Sequence, residues 1–329
     1  MRSPAGRYLM AMVASALVFV PLVCVVTWLA ISRGMVNLPD LEIYYHQRAK
    51  IDASRVVDIL LIGDSTLGNT IDAGTWSEKT GRSVLAVPLT GGYGYAGSLN
   101  MLRRVLRRDR PEVVVVMQSL DLATRHISWE GLLFTAERLS DIEGLPPWRL
   151  VKSLARVDIL KAVFGGDDRA EVQLAKLDYW PQAPAEQARA RLLATDPPTR
   201  AELRSEKFRH LQEIGETCRA REITCLYAHG PYLEPHCSQA TDYLRAVNAL
   251  VEQSGLAVVP GTPRCMTLDQ AGDSEDHVRP ALKSAFSEHY RALVAEILGT
   301  NRFFMRSRSG GITRGDAGYA SSNGANARP

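Results

Sequence analysis

Metal-ligand spacing is missing from this chain. Its 329 residues hold five cysteines, none in a C-x-x-C pair, and no spaced His/Cys cluster. That argues against a structural zinc site. Charge of one sign is also scarce: 39 Lys and Arg against 36 Asp and Glu leave a formal +3. Without a basic excess or arginines interleaved with aromatics, nothing points to nucleic acid as a partner. Internal repeats are absent, which removes solenoid architectures. What remains is an ordinary globular composition, 46% hydrophobic and 23% charged, with length enough for a core.

The sharpest absence is local. Residues 8–31, YLMAMVASALVFVPLVCVVTWLAI, contain no charge. At about 1.5 Å per residue, such a helix covers the roughly 30 Å hydrocarbon core of a bilayer. Pro21 is tolerable in a membrane helix. Arg2 and Arg7 precede the run, and Arg33 alone follows closely. The positive-inside rule then puts residues 1–7 in the cytoplasm and everything after residue 31 outside it. A cleaved signal peptide is the rival, with small residues at Ala30-Ile-Ser32, but the run is long for a signal h-region. The expected organisation is therefore a cytoplasmic arm (1–7), a single-pass anchor (8–31), a juxtamembrane stalk (32–55), a folded domain (56–300) and a disordered tail (301–329) poor in apolar residues. Export suits the four remaining cysteines. Cys237 with Cys265 is the expected bridge, and Cys218 with Cys225 could form a second; four unpaired thiols are the alternative.

Strand-like apolar runs recur at 56–62, 83–87, 113–117, 223–228 and 256–259. Helical patterns lie between and after them, at 96–108, 201–219, 239–254 and 281–298. That alternation predicts an α/β fold: a parallel sheet of about five strands with helices on both faces. Residues 124–198, with LPPW, YWPQAP and TDPP breaks, are too long for a simple crossover and read as a helical insertion. It would be a lid, a partner surface or a plain spacer.

Chemistry gathers at three places. The first run, VVDILLIGDST, stops on Gly63-Asp64-Ser65, so a tight turn presents Ser65 at the carboxyl end of the sheet. Thr90-Gly91-Gly92-Tyr93-Gly94 follows the second run. Far downstream stands Asp273-Ser-Glu-Asp276-His277, a histidine with acidic neighbours. A serine becomes a nucleophile when a base takes its proton, and His277 is that base in this reading. His229, at the end of the fourth run, points toward the same edge and is a candidate substrate contact. Asp64 reads as a turn cap. The glycines at 92, 94 and 97 also satisfy G-x-G-x-x-G, with Asp121 beyond, but they follow the second strand rather than the first.

Together these blocks resemble the SGNH (GDSL-type) hydrolase superfamily over about residues 56–299. The resemblance implies a flavodoxin-like three-layer sandwich, a catalytic triad of Ser65, His277 and an acid, and an oxyanion hole at Gly91 and Gly92. The family's Gly-x-Asn-Asp block would fall at Met117-Gln118-Ser119-Leu120-Asp121, which has no asparagine; Gln118 or Ser119 could stand in. The family's acid usually lies three residues before the histidine, where Ser274 stands here. Asp273, four before, is the expected acid and Asp276 the alternative. By the same resemblance the chain is a serine-dependent acyl-ester hydrolase or O-acyltransferase that needs no cofactor. Its substrate would be an O-acetylated cell-envelope or exported polysaccharide, handled alongside a multi-pass membrane acyltransferase. The rival is a catalytically degenerate domain that binds glycan or scaffolds such a complex.

Overall fold

A computed structural model describes residues 4–32, 39–125, 134–136, 185–194 and 196–299. Five parallel strands form the main sheet: β1 (Ile59–Gly63), β2 (Val84–Pro88), β3 (Val113–Gln118), β4 (Thr224–His229) and, after the two-residue strand β5 (Tyr232–Leu233), β6 (Ala257–Val258). Their order is β2-β1-β3-β4-β6. The chain steps outward from β1 to β2, then crosses back to β3, so a topological switch point opens at the carboxyl ends of β1 and β3. β5 pairs instead with β7 (Cys265–Met266) in a small second sheet.

Alternation along the strands builds the layers. Leu60, Ile62, Val114, Val116 and Tyr227 point into one core, and Ile59, Leu61, Val113, Val115 and Met117 into the other. Of the helices in chain order, α1 is Pro4–Ser32, α2 Pro39–Ala53, α3 Ser65–Thr70, α4 Ala73–Thr80, α5 Gly94–Leu106, α6 Ala185–Leu193, α7 Phe208–Ala220, α8 His236–Gln239, α9 Thr241–Gln253 and α10 Lys283–Ile297. The first core takes Leu99 and Leu102 of α5, Leu211 and Ile214 of α7, and Val247 and Val251 of α9. The second takes Leu67 of α3, Trp76 of α4, and Tyr290 and Val294 of α10. Burial of these apolar side chains, at about 1.5–3 kcal/mol each, is what holds the short strands together.

Two expectations change. Residues 39–53 are not a stalk: α2 buries Leu41, Tyr44 and Ile51 in the first core, and Lys50 Nζ donates to the Ala86 carbonyl at 2.7 Å. The helix expected over 201–219 begins only at Phe208. A capping box of Thr199 and Glu202 closes a single 3-10 turn, and the Arg204 N–H then bonds the Ala123 carbonyl at 3.0 Å, diverting the chain. The insertion at 124–198 is described only at 124–125, 134–136, 185–194 and 196–198, which include α6. The tail at 301–329 lies outside the described residues.

Helix α1 carries the uncharged run. Its stretch Gly6–Leu29 has a hydropathy of 2.7 and is long and apolar enough to cross a membrane. Leu17, Val18 and Phe19 are 65 to 71% exposed, whereas toward the end of the helix Thr27 is buried and Trp28 packs against the first core.

Both cysteine pairs are bridged. Cys218–Cys225 joins the end of α7 to β4, and Cys237–Cys265 joins α8 to β7 with 5.6 Å between Cα atoms. The second bridge spans 28 residues, a loop worth about 3 to 4 kcal/mol in the chain-entropy account. Replacing Cys237 and Cys265 together with serine should therefore lower the denaturation free energy of the protein by about that amount. Peptide mapping without reductant should recover both bridged pairs, and four alkylatable thiols would contradict the assignment.

Candidate functional site

The switch point is where the chemistry-bearing side chains converge. β1 runs so close to β3 that a Cβ on Gly63 would lie 1.8 Å from the Met117 carbonyl oxygen, so only glycine fits there. Asp64 follows as the N-cap of α3. Its Oδ1 accepts from the Thr66 N–H at 3.0 Å and its Oδ2 from the Ser119 N–H at 2.9 Å. Asp64 is thus the turn cap expected, and it also anchors the loop after β3. Burial, with Asp276 close by, raises its pKa.

Capping leaves Ser65 as the first residue of α3, half-buried, with its hydroxyl facing the loop before α10. His277 comes from that loop, whose ends are tied by the Ala271–Val278 bridge and by the Gly272 N–H donating to the His277 carbonyl at 2.7 Å. His277 Nε2 is 2.9 Å from Ser65 Oγ, and Nδ1 is 2.6 Å from Asp273 Oδ1. These distances make one continuous hydrogen-bonded line of three side chains drawn from opposite ends of the domain. The bend that lets Asp273 reach back four residues contains the His277 N–H to Ser274 carbonyl bond at 3.4 Å.

Asp276 takes a different place. It is buried, accepts from Thr66 Oγ1 at 2.7 Å and from Ser274 Oγ, and lies 3.8 Å from His277 Nε2. The alternative acid is therefore on the serine side of the ring, not on Nδ1. Burial would raise its pKa, yet His277, Arg125 and the two hydroxyl donors together lower it. His277 in turn sits above the ordinary imidazole value. Burial opposes its charge, but Asp276, Asp273 and Asp64 outweigh that.

Gly91 and Gly92 form a 3-10 turn, Gly91–Tyr93, after β2. Among the described residues, the N–H groups of Ser65 and Gly91 meet no acceptor. Gln118 does not join them: it is fully buried, and its Nε2 donates to Ser98 Oγ of α5 at 2.9 Å. Its position on β3 aims it into the first core with Val114 and Val116, so period-2 alternation overrides its place in the motif. His229 is likewise no cleft residue. It is 0% exposed, its ring stands edge-on to Tyr227 at 5.1 Å, and Nε2 is 2.7 Å from Asn248 Oδ1 on α9. Burial pushes its pKa down to about 4, so it stays neutral as a packing group.

Two residues that motif reading passed over do line the site. Arg125 clamps Asp121 with two bonds, Nε to Oδ2 at 2.7 Å and Nη2 to Oδ1 at 2.8 Å, and Nη2 is 3.9 Å from Asp276. Its Nη1 lies over Gly91, where an added Cβ would approach to 2.3 Å. The Asp-x-x-x-Arg spacing after the third strand signals the Asp121 ion pair but not the approach to Gly91. The insertion also reaches the site: Ala188 and Leu192 of α6 pack with Ala271 and Val278, and Arg191 Nη2 donates to the Asp273 carbonyl at 2.6 Å. Comparison of the chain with protein-family models and with curated proteins gives no match.

The two carboxylates around His277 have a measurable consequence. A nearby negative charge stabilises the imidazolium, so each carboxylate raises the pH at which His277 titrates. Removing the Asp276 charge in Asp276→Asn should shift the His277 titration, read by NMR of the imidazole, to lower pH, because the imidazolium loses a stabilising neighbour. A titration that stays put, or moves up, contradicts the electrostatic role.

Proposed function

We propose that this chain is a serine-dependent acyl transferase or esterase of the SGNH type, held at the outer face of a membrane by α1. The single observation that carries the reading is the line from Ser65 Oγ through His277 to Asp273, at 2.9 and 2.6 Å. His277 Nε2 takes the Ser65 proton as Oγ attacks an ester carbonyl. Asp273 holds Nδ1–H toward itself, fixing the tautomer and stabilising the imidazolium. The Ser65 and Gly91 N–H groups face the developing oxyanion. Collapse expels the alcohol, which leaves with the proton from Nε2, and an acyl-serine remains. Water then makes the chain a hydrolase, and a sugar hydroxyl makes it an O-acyltransferase. By analogy with membrane-tethered relatives of this type, the substrate is an O-acetylated envelope or exported polysaccharide, with a multi-pass acyltransferase as partner.

Ser65→Ala and His277→Ala should each reduce turnover of a small acetyl ester by on the order of 10⁶-fold, with the double variant hardly worse. Asp273→Asn should cost less. A fluorophosphonate probe should label Ser65 in the parent protein and nothing in Ser65→Ala. Turnover and labelling that survive Ser65→Ala would remove the catalytic reading and leave a glycan-binding or scaffolding domain in its place.

The orientation is tested separately. The two disulfides and the Arg2 and Arg7 flank favour an extracytoplasmic domain. Alkaline phosphatase fused after residue 300 should be active. An inactive fusion, with a cytoplasmic reporter active at the same junction, would reverse the topology.

A further inference from the structure

We propose that Arg125 supplies the side-chain donor of the oxyanion site, with Nη1 hydrogen-bonding the substrate carbonyl oxygen as it takes up negative charge. The inference rests on the acyl-transfer reading above and adds a catalytic residue to it.

Three observations converge. The loop after β3 offers no asparagine, the amide that precedes it, Gln118, is committed to Ser98 in the core, and Asn69 Nδ2 is spent on the Ser65 carbonyl at 2.8 Å. The same loop does deliver a donor to the right place. Arg125 follows the 3-10 turn Leu120–Ala123, and its Nη1 covers Gly91, the backbone donor on the opposite wall. The guanidinium is also fixed in advance. Nε and Nη2 are spent on Asp121, whereas Nη1 has no acceptor among the described residues, and the side chain keeps 36% of its surface exposed.

Distances connect this group to the reacting atoms. Nη2 is 3.9 Å from Asp276, and Asp276 is 3.8 Å from His277 Nε2, the atom that holds Ser65 Oγ. A planar guanidinium clamped by a carboxylate is a rigid donor and needs no reorganisation as charge develops. The bare alternative is a structural cation that only neutralises Asp121 and Asp276. The two roles differ in what they do to ground state and transition state. A donor aimed at the oxyanion strengthens only as the carbonyl becomes tetrahedral, so its loss falls on kcat and spares KM.

The test uses the full-length protein and p-nitrophenyl acetate, with a phenylboronic acid as tetrahedral analogue. Arg125→Lys keeps the charge but loses the fork, and should lower kcat by about 10² to 10³ with KM within a few-fold. Boronate affinity should fall in step with kcat. Gly91→Ala provides a second route that leaves every charge in place, since its Cβ displaces Nη1; it should lower kcat in the same direction. Arg125→Lys with parental kcat and boronate affinity overturns the inference while fluorophosphonate labelling of Ser65 upholds the acyl-transfer reading. A fall in kcat matched by an equal rise in KM, or one accounted for by lost folded protein in both variants, overturns it too. Parental protein that is neither labelled nor active overturns the parent reading instead.

Discussion

One buried carboxylate sets the geometry on which the rest of the site depends. Asp64 spends one oxygen on the Thr66 N–H and the other on the Ser119 N–H, so it clamps the turn after β1 to the loop after β3. A buried carboxylate is costly unless its lone pairs are met, and backbone N–H groups meet them with charge-assisted bonds. That requirement fixes where α3 begins, and with it the direction of the Ser65 hydroxyl. It also fixes the start of the loop that carries Asp121 and Arg125. Ser65 and the opposite wall of the cleft are therefore positioned by the same side chain.

The other half of the site is held less by charge than by closure. His277 and Asp273 sit on a loop pinned at both ends, by β7 with its bridge to Cys237 on one side and by α10 on the other. Within it, the Ala271–Val278 pairing and the α6 contacts limit how far the imidazole can move. Hydrophobic packing of Leu192 and Phe286 in the same small cluster supports the loop from beneath. Preorganisation of this kind is what the proposed general base needs, since a displacement near 1 Å is enough to weaken the chemistry.

Much of this was legible in the chain itself. Strands 113–117 and 223–228 announce themselves because buried parallel strands read as continuous apolar runs; the structure extends the first by Gln118 and shifts the second by one residue. Ser65, His277 and Asp273 were reachable because the turn chemistry of Gly63 and a histidine with an acidic neighbourhood leave short, local marks. Gln118 and His229 misled for one reason: position in a motif says nothing about which face of a strand a side chain occupies, and both point into cores. Helix α2 escaped because its polar and apolar residues lack a clean helical stripe; tertiary burial of Tyr44 and Ile51 decides it. Arg125 escaped because its significance lies across space, over Gly91, and no spacing within the sequence encodes that approach.

Helix α2 has a consequence for where the proposed enzyme can work. It begins at Pro39 and is welded to the sheet by Tyr44, Ile51 and Lys50, whereas α1 ends at Ser32. Only six residues, 33–38, separate the two, a contour of about 20 Å even at full extension. In the proposed anchored form the catalytic cleft then rides at a nearly constant height above the lipid, like a reader fixed over a moving tape. In that form any substrate must be brought to it at the membrane face. Encounters become a matter of diffusion within a thin layer rather than through the whole compartment, which raises the effective concentration of any partner that shares the bilayer.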